Sequence, residues 1–486
     1  MDVSSASKLK EFFKHMVVYG LGSVAQSAAT FLFIPLYTEY WSVEEYGAFS
    51  YLTLLGVVFG GIFYLGIASA LPRSYFDYDD EEDRKAVFST SFYLLCLGAI
   101  AQITIGYFGA ETLSVWLLDT PDYAEMVFLS ITSSAVIFVS YLFYTYMRLK
   151  RHSGLVLTFS LGALAVSLGL VYYFVAILEE GILGAFKGQL YTQIGLLGLL
   201  LFRFARETLV MAFRVSEMQI QLMFGAGVVL SSFAGMTNQW IGQFFLEKYM
   251  SLNDVGIYAL GAKLASLLNI ILIMPMVQIW NPMMMEYRTS DTIKTLFSDV
   301  LFYYFLFGVY LLLATSLFVG DFLPLVTGSD DFLASAPIIP FIMFGILIFG
   351  SVNIFTAGLF YERKSFQMAI PHYVGAILNV VLCITLIPIY GLWAAVLTTT
   401  VVYCMAPFVV YSLAKKYFSF DIKWLRLFKL FALGAIILII NNYVVISEQM
   451  FRILFKTILL IAFILVSYQF IVDEDVKLKI KNFVKR

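Results

Sequence analysis

Long apolar runs dominate this sequence and constrain its fold more than any other feature. Short charged or turn-rich breaks separate the runs, and most runs reach the roughly 20 residues that a helix needs to cross a bilayer. A strand of a membrane barrel would need only about 10 residues of alternating polarity. The sequence therefore predicts an all-α polytopic membrane protein. Fourteen spans are expected near residues 16–38, 48–71, 87–109, 126–147, 155–178, 182–202, 220–244, 255–280, 297–319, 332–360, 366–387, 391–413, 430–446 and 455–472.

The composition is typical of a chain surrounded by lipid rather than water. Charged residues make up 13% of the 486 residues, about half the roughly 25% of a typical soluble domain. So few charges, with 61% hydrophobic residues, exclude a water-soluble fold and a nucleic-acid-binding chain. The three cysteines, Cys96, Cys383 and Cys404, lie in apolar runs without metal-ligand spacing, which favours buried thiols.

The distribution of basic residues predicts the orientation of the chain. If the N-terminus lies in the cytoplasm, 26 of the 31 Lys and Arg residues fall in segments on the cytoplasmic side, as the positive-inside rule requires. Both termini are therefore expected in the cytoplasm, with an even number of helices in the cytoplasmic (inner) membrane. The longest inside connections, near 203–219 and 414–429, mix basic and apolar residues, which is typical of amphipathic helices at the membrane interface.

Two junctions on the outer side have similar sequences, which indicates an internal repeat. Tyr-Trp-Ser-Val-Glu-Glu-Tyr-Gly at 40–47 and Tyr-Met-Ser-Leu-Asn-Asp-Val-Gly at 249–256 share Tyr, Ser, an acid and Gly at a constant offset of 209 residues. Six helices separate the junctions, so both halves have the same orientation. A Ser followed by an acid is also a general helix N-cap, so part of the likeness is explained locally. The repeat predicts six-helix lobes at 1–215 and 216–414, related by a pseudo-twofold axis, and two further helices with a cytoplasmic tail at 415–486.

Four segments of the first two spans resemble a known transporter family. They are Gly-Leu-Gly-Ser at 20–23, Phe-Ile-Pro-Leu-Tyr at 33–37, Glu-Glu-Tyr-Gly-Ala-Phe at 44–49 and Gly-Ile-Ala-Ser-Ala-Leu-Pro-Arg at 66–73. Together with the span count and topology, they make the chain similar to the polysaccharide (O-antigen/oligosaccharide) flippase family of the multidrug/oligosaccharidyl-lipid/polysaccharide exporter superfamily. The resemblance implies movement of a lipid-linked oligosaccharide from the cytoplasmic to the outer leaflet by alternating access.

Two lysines lie inside predicted spans, where a charge costs roughly 2.5–3.5 kcal/mol at the centre. Lys187 is roughly 8 Å from the outer edge of the sixth span, and Lys263 is roughly 12 Å deep in the eighth. A lysine can reach several Å to the interface, so Lys187 either anchors there or lines a cavity. Lys263 is predicted to line a water-filled cavity. Together the two lysines would offer an anionic headgroup an electropositive path.

The predicted spans contain no deep Asp or Glu, which bears on the charge of the cargo. A cation exporter needs a buried carboxylate, and the multidrug branch of the superfamily often has one in its first helix. Here the first span has no acid before Glu39, at its outer edge. Buried lysines without buried acids favour an anion, such as a sugar linked to a polyprenyl diphosphate, and disfavour a multidrug or cation antiporter.

Uncharged polar residues at helical spacing are predicted to contact sugar hydroxyls. In the first span, Gln26, Thr30 and Tyr37 share one helix face. The seventh and eighth spans contribute Asn238, Gln239, Gln243, Asn269 and Gln278. The alternative for each residue is an interhelical hydrogen bond, worth about 0.6 kcal/mol on average. Arg73, at the cytoplasmic end of the second span, either engages the headgroup on loading or is a positive-inside anchor.

The leading hypothesis is a flippase for a polyprenyl-diphosphate-linked oligosaccharide, a polysaccharide or O-antigen repeat unit. The sequence lacks a Walker loop, a metal motif and a nucleophile–base pattern, which predicts no cofactor and no enzymatic activity. Expected partners are the anionic lipid-linked oligosaccharide, membrane lipids and other polysaccharide assembly proteins, but not nucleic acid. Short outer loops disfavour a membrane-bound polymerase or transferase, while a non-transporting scramblase or assembly partner stays open.

Overall fold

The computed structural model describes residues 30–286, 293–362, 364–444 and 446–471. This described part is helical and contains no strand, which confirms the predicted all-α class. The chain forms two compact units, Met1–Ala259 with His372–Ala395, and Leu260–Pro371 with Val396–Arg486. The lobes at 1–215 and 216–414 were inferred from the sequence repeat, which is a different criterion from the compactness that defines these units. The lobes therefore stay a prediction.

The first unit consists of long helices joined by short turns. In chain order they are α1 (Phe33–Tyr40), α2 (Val43–Phe63), α3 (Ile67–Phe76), α4 (Glu81–Leu118), α5 (Ala124–Leu149), α6 (Ser153–Tyr172), α7 (Gly181–Thr208), α8 (Val215–Tyr249) and the first part of α9 (Leu252–Ala265). A core of nearly fully buried side chains lies between α3, α4, α5 and α7, with Phe88, Phe143 and Phe204 among its largest members.

The second unit contains most of the remaining helices. They are α10 (Met274–Glu286), α11 (Ile293–Thr327), α12 (Ile339–Gly350), α13 (Val352–Phe355), α14 (Ala357–Tyr361), α15 (Ser365–Ala414), α16 (Trp424–Tyr443) and α17 (Gln449–Phe470), of which α15 contributes residues 372–395 to the first unit. Ion pairs connect the last two helices to α11. Asp321 of α11 binds Arg452 and Lys456 of α17, and Lys423 before α16 lies 2.8 Å from Asp299.

The apolar helices agree with a protein that crosses a membrane many times. Ten helical segments of the described chain are long and apolar enough to span a bilayer. One of them, Phe366–Ala414, covers two predicted spans and bends at Gly391, whose φ of 56° and ψ of −135° are not helical. The other close break also occurs where expected, because Glu179 and Gly181 take positive φ angles where α7 begins. The count of fourteen spans stays a prediction.

The two repeated junctions have the same local structure. Ser42 caps α2 through a capping box, in which its hydroxyl accepts from the Glu45 N–H and the Glu45 carboxylate accepts from the Ser42 N–H at 2.9 Å. At the equivalent start of α9, the Asp254 N–H donates to the Ser251 hydroxyl, which donates to the Asp254 carboxylate at 2.6 Å. Capping therefore explains why Ser and an acid recur at these positions.

The structure corrects the prediction that the connections near 203–219 and 414–429 form amphipathic interfacial helices. α7 continues to Thr208, residues 209–214 are not helical, and α8 starts at Val215. Side chains of α4 hold this connection, because the Val210 N–H donates to Ser89 at 2.8 Å and the Arg214 N–H donates to Thr90 at 3.0 Å. Such bonds satisfy a backbone that has no helical partners. Between α15 and α16, residues 418–423 are likewise non-helical.

Candidate functional site

Lys263 lies near the end of a helix that stops inside its apolar segment. α9 ends at Ala265, and the chain continues through a π-helical turn, Asn269–Ile273, into α10. Within the described residues, no carboxylate pairs with the Lys263 ammonium. The Lys263 carbonyl accepts hydrogen bonds from the N–H and the hydroxyl of Ser266, at 3.1 and 2.6 Å. Lys263 therefore lies three residues before a local irregularity in the helical segment.

Pro275 accounts for the position of the π-helical turn. It has no N–H to donate, and its ring crowds the carbonyl of Ile271, four residues earlier. The π-helical turn, which ends at Ile273, absorbs this mismatch immediately before the proline. The sequence predicts one span at 255–280, and the structure describes one apolar helical segment, Leu252–Met285, with the π-helical turn inside it. Pro275 was the signal for it, although a proline alone does not distinguish a bend from a break.

An apolar cleft of about 370 Å³ opens beside α9 in the second unit. Leu264, Leu267 and Leu268 form one wall, α11 and α12 form the others, and Thr315 is the one polar residue of the lining. Its size falls within the usual range of ligand pockets. Lys263 directly precedes Leu264 on the same helix but is not itself part of the lining.

Two further predicted site residues lie on the same broken segment as Lys263. Asn269 opens the π-helical turn, where its N–H donates to the Ser266 carbonyl at 2.9 Å. Gln278 lies in α10, and both side chains are partly exposed. The structure therefore brings Lys263, Asn269 and Gln278 onto one interrupted span of the second unit.

Lys187 has an acidic partner, which corrects the expectation that the lysine lacks one. Its ammonium lies 2.9 Å from the Glu180 carboxylate, in the turn that precedes α7. Both side chains are about one-quarter exposed. This geometry favours the anchoring alternative. Lys187 and Lys263 belong to different compact units, so their joint electropositive path stays a prediction.

Arg73 lies in the last turn of α3 and is exposed. Its guanidinium is 5.9 Å from the centroid of the Phe224 ring on α8, a distance at which a cation is attracted to an aromatic face. Both alternatives for Arg73, headgroup contact and anchoring, agree with this exposed position.

The predicted polar face of the first span is only partly described. Gln26 lies outside the described residues, and of Thr30 only the backbone, in a short 3₁₀ turn, is described. Tyr37 is 2% exposed and stacks on Trp41 at 4.4 Å between ring centroids. Its hydroxyl accepts a 3.2 Å hydrogen bond from Gln189 of α7. Tyr37 therefore packs inside the first unit, and its contact with cargo stays a prediction.

Asn238 joins α8 to the first part of α15. Its side-chain amide donates to the His372 carbonyl, and its backbone carbonyl accepts from the side-chain amide of Asn379, each at 3.1 Å. These are interhelical bonds of the kind that the alternative interpretation describes. The side-chain oxygens of Asn238 and Gln243 are nevertheless buried without a hydrogen-bond partner in the described part of the chain. The side chain of Gln239 lies outside the described residues.

Sequence reasoning missed a buried polar pair at the start of α8. Glu217 is 3% exposed and Gln221 is fully buried, one helical turn further on. The surrounding basic and apolar residues made the segment 203–219 look interfacial. The spacing of four residues, which places both side chains on one helix face, was the available signal.

Comparisons with known proteins place this fold among transporters. The lipid II flippase MurJ in an inward closed conformation has a TM-score of 0.76 and 14% identity, with 93% of this chain and 99% of that chain covered. An inward-facing multidrug resistance MATE family transporter of the MOP superfamily has a TM-score of 0.64 and 12% identity, covering 82% and 94%. A MOP superfamily transporter from Pyrococcus furiosus has a TM-score of 0.60 and 12% identity, covering 83% and 95%. The chain shares the fold of these proteins.

Sequence comparison gives the family. No curated protein matches the chain. The family described as polysaccharide biosynthesis protein matches residues 12–288, more than half of the 486-residue chain. The family agrees with the resemblance seen in the first two spans. The chain therefore belongs to the polysaccharide biosynthesis protein family and has the fold of the MOP superfamily.

Proposed function

We propose that this protein is a flippase that moves a polyprenyl-diphosphate-linked oligosaccharide, a polysaccharide or O-antigen repeat unit, across the cytoplasmic membrane by alternating access. The observation that carries the proposal is Lys263, whose ammonium has no acidic partner among the described residues and whose sequence neighbour Leu264 lines an apolar cleft. An anionic headgroup on a hydrocarbon chain needs both a cationic group and an apolar surface.

The comparisons support the same substrate class. The family is described by polysaccharide biosynthesis, and one structural neighbour is a flippase of lipid II. In this proposal both termini face the cytoplasm, no covalent bond of the cargo is made or broken, and the partners are membrane lipids and other polysaccharide assembly proteins. The proposal orients the chain by the 26 basic residues in inside segments.

The positive charge of Lys263 weighs against a cation as cargo. A positively charged drug near Lys263 would meet a like charge in a medium of low dielectric, where repulsion is strong. A cation antiporter would need a carboxylate beside the cargo, and the acid nearest in sequence to Lys263, Asp254, is bound to Ser251 at the other end of α9.

Charge reversal of Lys263 tests the proposal. In cells that depend on this gene for surface polysaccharide, Lys263→Glu should abolish export and leave lipid-linked repeat units on the cytoplasmic side. Lys248→Glu is the matched control, because Lys248 is an exposed lysine at the end of α8. Normal export by Lys263→Glu, at a normal protein level in the membrane, would refute the assigned role.

A further inference from the structure

Asp321 holds two cations where α11 meets α17 in the second unit. Its carboxylate lies 2.8 Å from the Arg452 guanidinium and 2.5 Å from the Lys456 ammonium. One acid balances one of the two cations, so the cluster keeps a surplus positive charge. Glu448, the exposed residue before α17, forms no ion pair with Arg452 in the described part of the chain. No direct contact therefore cancels the surplus charge.

Asp321 also leaves most donors of the Arg452 guanidinium unused. The carboxylate contacts Nη2, while Nε is buried without a hydrogen-bond partner. Nη1 has no partner among the described residues either, but it is not buried, and the Arg452 side chain is 40% exposed. A guanidinium carries five N–H groups in a planar fork that fits the oxygens of a phosphate or a carboxylate. The open Nη1 group can thus bind an anion from the surface.

The cluster lies at the level expected for lipid headgroups. The predicted spans 297–319 and 455–472 end and begin beside it, and both α11 and α17 are long and apolar enough to cross a bilayer. Exposed apolar side chains flank the charges, namely Leu325 on α11 and Met450, Phe451 and Leu454 on α17. At this level a bilayer supplies phosphate groups next to acyl chains. The surroundings therefore favour a lipid over a soluble anion.

We propose that Arg452 binds the phosphate group of an anionic phospholipid, with the positive charge of Lys456 in support, and that the acyl chains lie along α11 and α17. The surplus of one positive charge suits a lipid with one net negative charge, such as phosphatidylglycerol. Arginine suits the site, because its planar and weakly hydrated guanidinium binds phosphate oxygens through more than one N–H group. The proposal concerns a lipid of the surrounding bilayer and does not depend on the cargo.

Lipid selectivity beside Arg452 tests the site. The purified full chain, with Cys96, Cys383 and Cys404 replaced by Ala, carries a fluorescent bimane on Phe451→Cys, an exposed position next to Arg452. Vesicles contain equal parts of phosphatidylglycerol and phosphatidylcholine, and a nitroxide quencher is placed on the acyl chain of one lipid or of the other. The bilayer composition is thus the same in both arms. We expect phosphatidylglycerol to quench the bimane more strongly, and Arg452→Gln should remove this preference.

Two controls separate the site from general attraction of anionic lipid. A bimane on Phe108→Cys lies on α4 at a position that is 78% exposed, in a stretch, 86–147, that contains no Lys or Arg. The two lipids should quench it equally. With the bimane at position 451, Arg203→Gln should keep the preference, because Arg203 forms a one-to-one exposed pair with Glu207.

A second variant keeps the test decisive if Arg452→Gln does not fold. Arg452→Lys keeps the charge but loses the planar fork, so the preference should fall by at least half. Equal quenching by the two lipids in the protein that retains Arg452 would overturn the proposal, and so would an undiminished preference in Arg452→Gln or Arg452→Lys.

Inorganic phosphate distinguishes a lipid from a free anion. Sodium phosphate replaces NaCl at constant ionic strength, and we expect the preference for phosphatidylglycerol to persist. If phosphate removes it as fully as Arg452→Gln does, the site takes the free anion and the phospholipid assignment is overturned. No cargo or export enters the assay, so failure of the flippase proposal would leave its result unchanged.

Discussion

Gly47 of α2 and Gly256 of α9 lie against each other, 209 residues apart in the sequence. A Cβ atom on Gly47 would be 2.8 Å from the Gly256 nitrogen and would collide with the Leu252 carbonyl. A Cβ atom on Gly256 would be 3.1 Å from the Gly47 nitrogen and would collide with the Val43 carbonyl. Val43 and Leu252 are also related by the offset of 209, so the contact is reciprocal. Reciprocal contacts are the mark of twofold symmetry, and here they support the internal repeat.

We expect Gly47→Ala to force α2 and α9 apart at this crossing. The atoms in the way belong to backbone, which cannot move aside like a flexible side chain, so the cost should be about 1–3 kcal/mol, as for other overpacked sites. Gly256→Ala should have a similar effect. The double variant should cost less than the sum, since one substitution already opens the crossing. Unfolding of the purified protein measures all three.

Gly162→Ala is the control for this prediction. Gly162 lies within α6, and a Cβ atom there would meet nothing within 4 Å. Alanine is favoured over glycine in a helix by about 1 kcal/mol, so this variant should be neutral or slightly stabilising. If Gly47→Ala and Gly162→Ala had the same Tm, the prediction that the close crossing of α2 and α9 requires glycine would be wrong.

The sequence was sufficient for features that depend on local chemistry. Apolar run length gave the helical membrane class, and Glu179, Gly181 and Gly391 marked breaks that the structure confirms. The same reasoning missed the partner of Lys187, which lies just outside the apolar run predicted as the sixth span. Glu180 lies seven residues before Lys187, a spacing of about two helical turns, and its carboxylate is 2.9 Å from the ammonium.

Two other misses have a different physical origin. Glu217 is buried because Tyr78 and the start of α4 cover it, so its charge alone suggested an exposed position. The connection before α8 is not helical because α4 hydroxyls bind its backbone. Both depend on residues more than 100 positions away, and a pattern read along one segment does not contain them.

Gly391→Ala should destabilise the protein at the bend of α15. Gly391 has φ 56° and ψ −135°, a region that is strained for a residue with a side chain, and the strain is about 1–3 kcal/mol. A Cβ atom would also lie 3.2 Å from the Met250 sulfur. Thermal unfolding should show the loss, whereas Gly320→Ala, at an open helical position, should not. Equal stability of the two variants would contradict a conformational requirement at Gly391.

Asp321→Asn should weaken the attachment of α17 to α11. Asp321 is 7% exposed and binds both Arg452 and Lys456, so its loss leaves a largely buried lysine without a counter-charge. Breaking a buried ion pair from one side costs about 3–5 kcal/mol, and the partial exposure of Arg452 moderates this. A double variant, Asp321→Asn with Lys456→Met, should recover part of the loss. The comparison Glu207→Gln breaks an exposed pair, worth about 0.3–0.5 kcal/mol, and a cost as small as this for Asp321→Asn would refute the prediction.

Lys187→Gln should preserve export, in contrast to charge reversal at Lys263. The Lys187–Glu180 pair is partly exposed, and pairs of this kind contribute about 0–1 kcal/mol to stability. If the lysine only anchors the start of α7, Lys187→Gln and Glu180→Gln should both export polysaccharide normally and lower the Tm by similar small amounts.

The two variants also separate anchoring from cargo contact. If Lys187 attracts an anionic headgroup, Lys187→Gln should lose export while Glu180→Gln, which frees the ammonium from its partner, should retain or increase it. Export assays with both variants at matched membrane levels therefore give opposite results for the two roles. Loss of export in Lys187→Gln alone would restore Lys187 to the cargo path and overturn its assignment as an anchor, because a lost ion pair affects both partners alike.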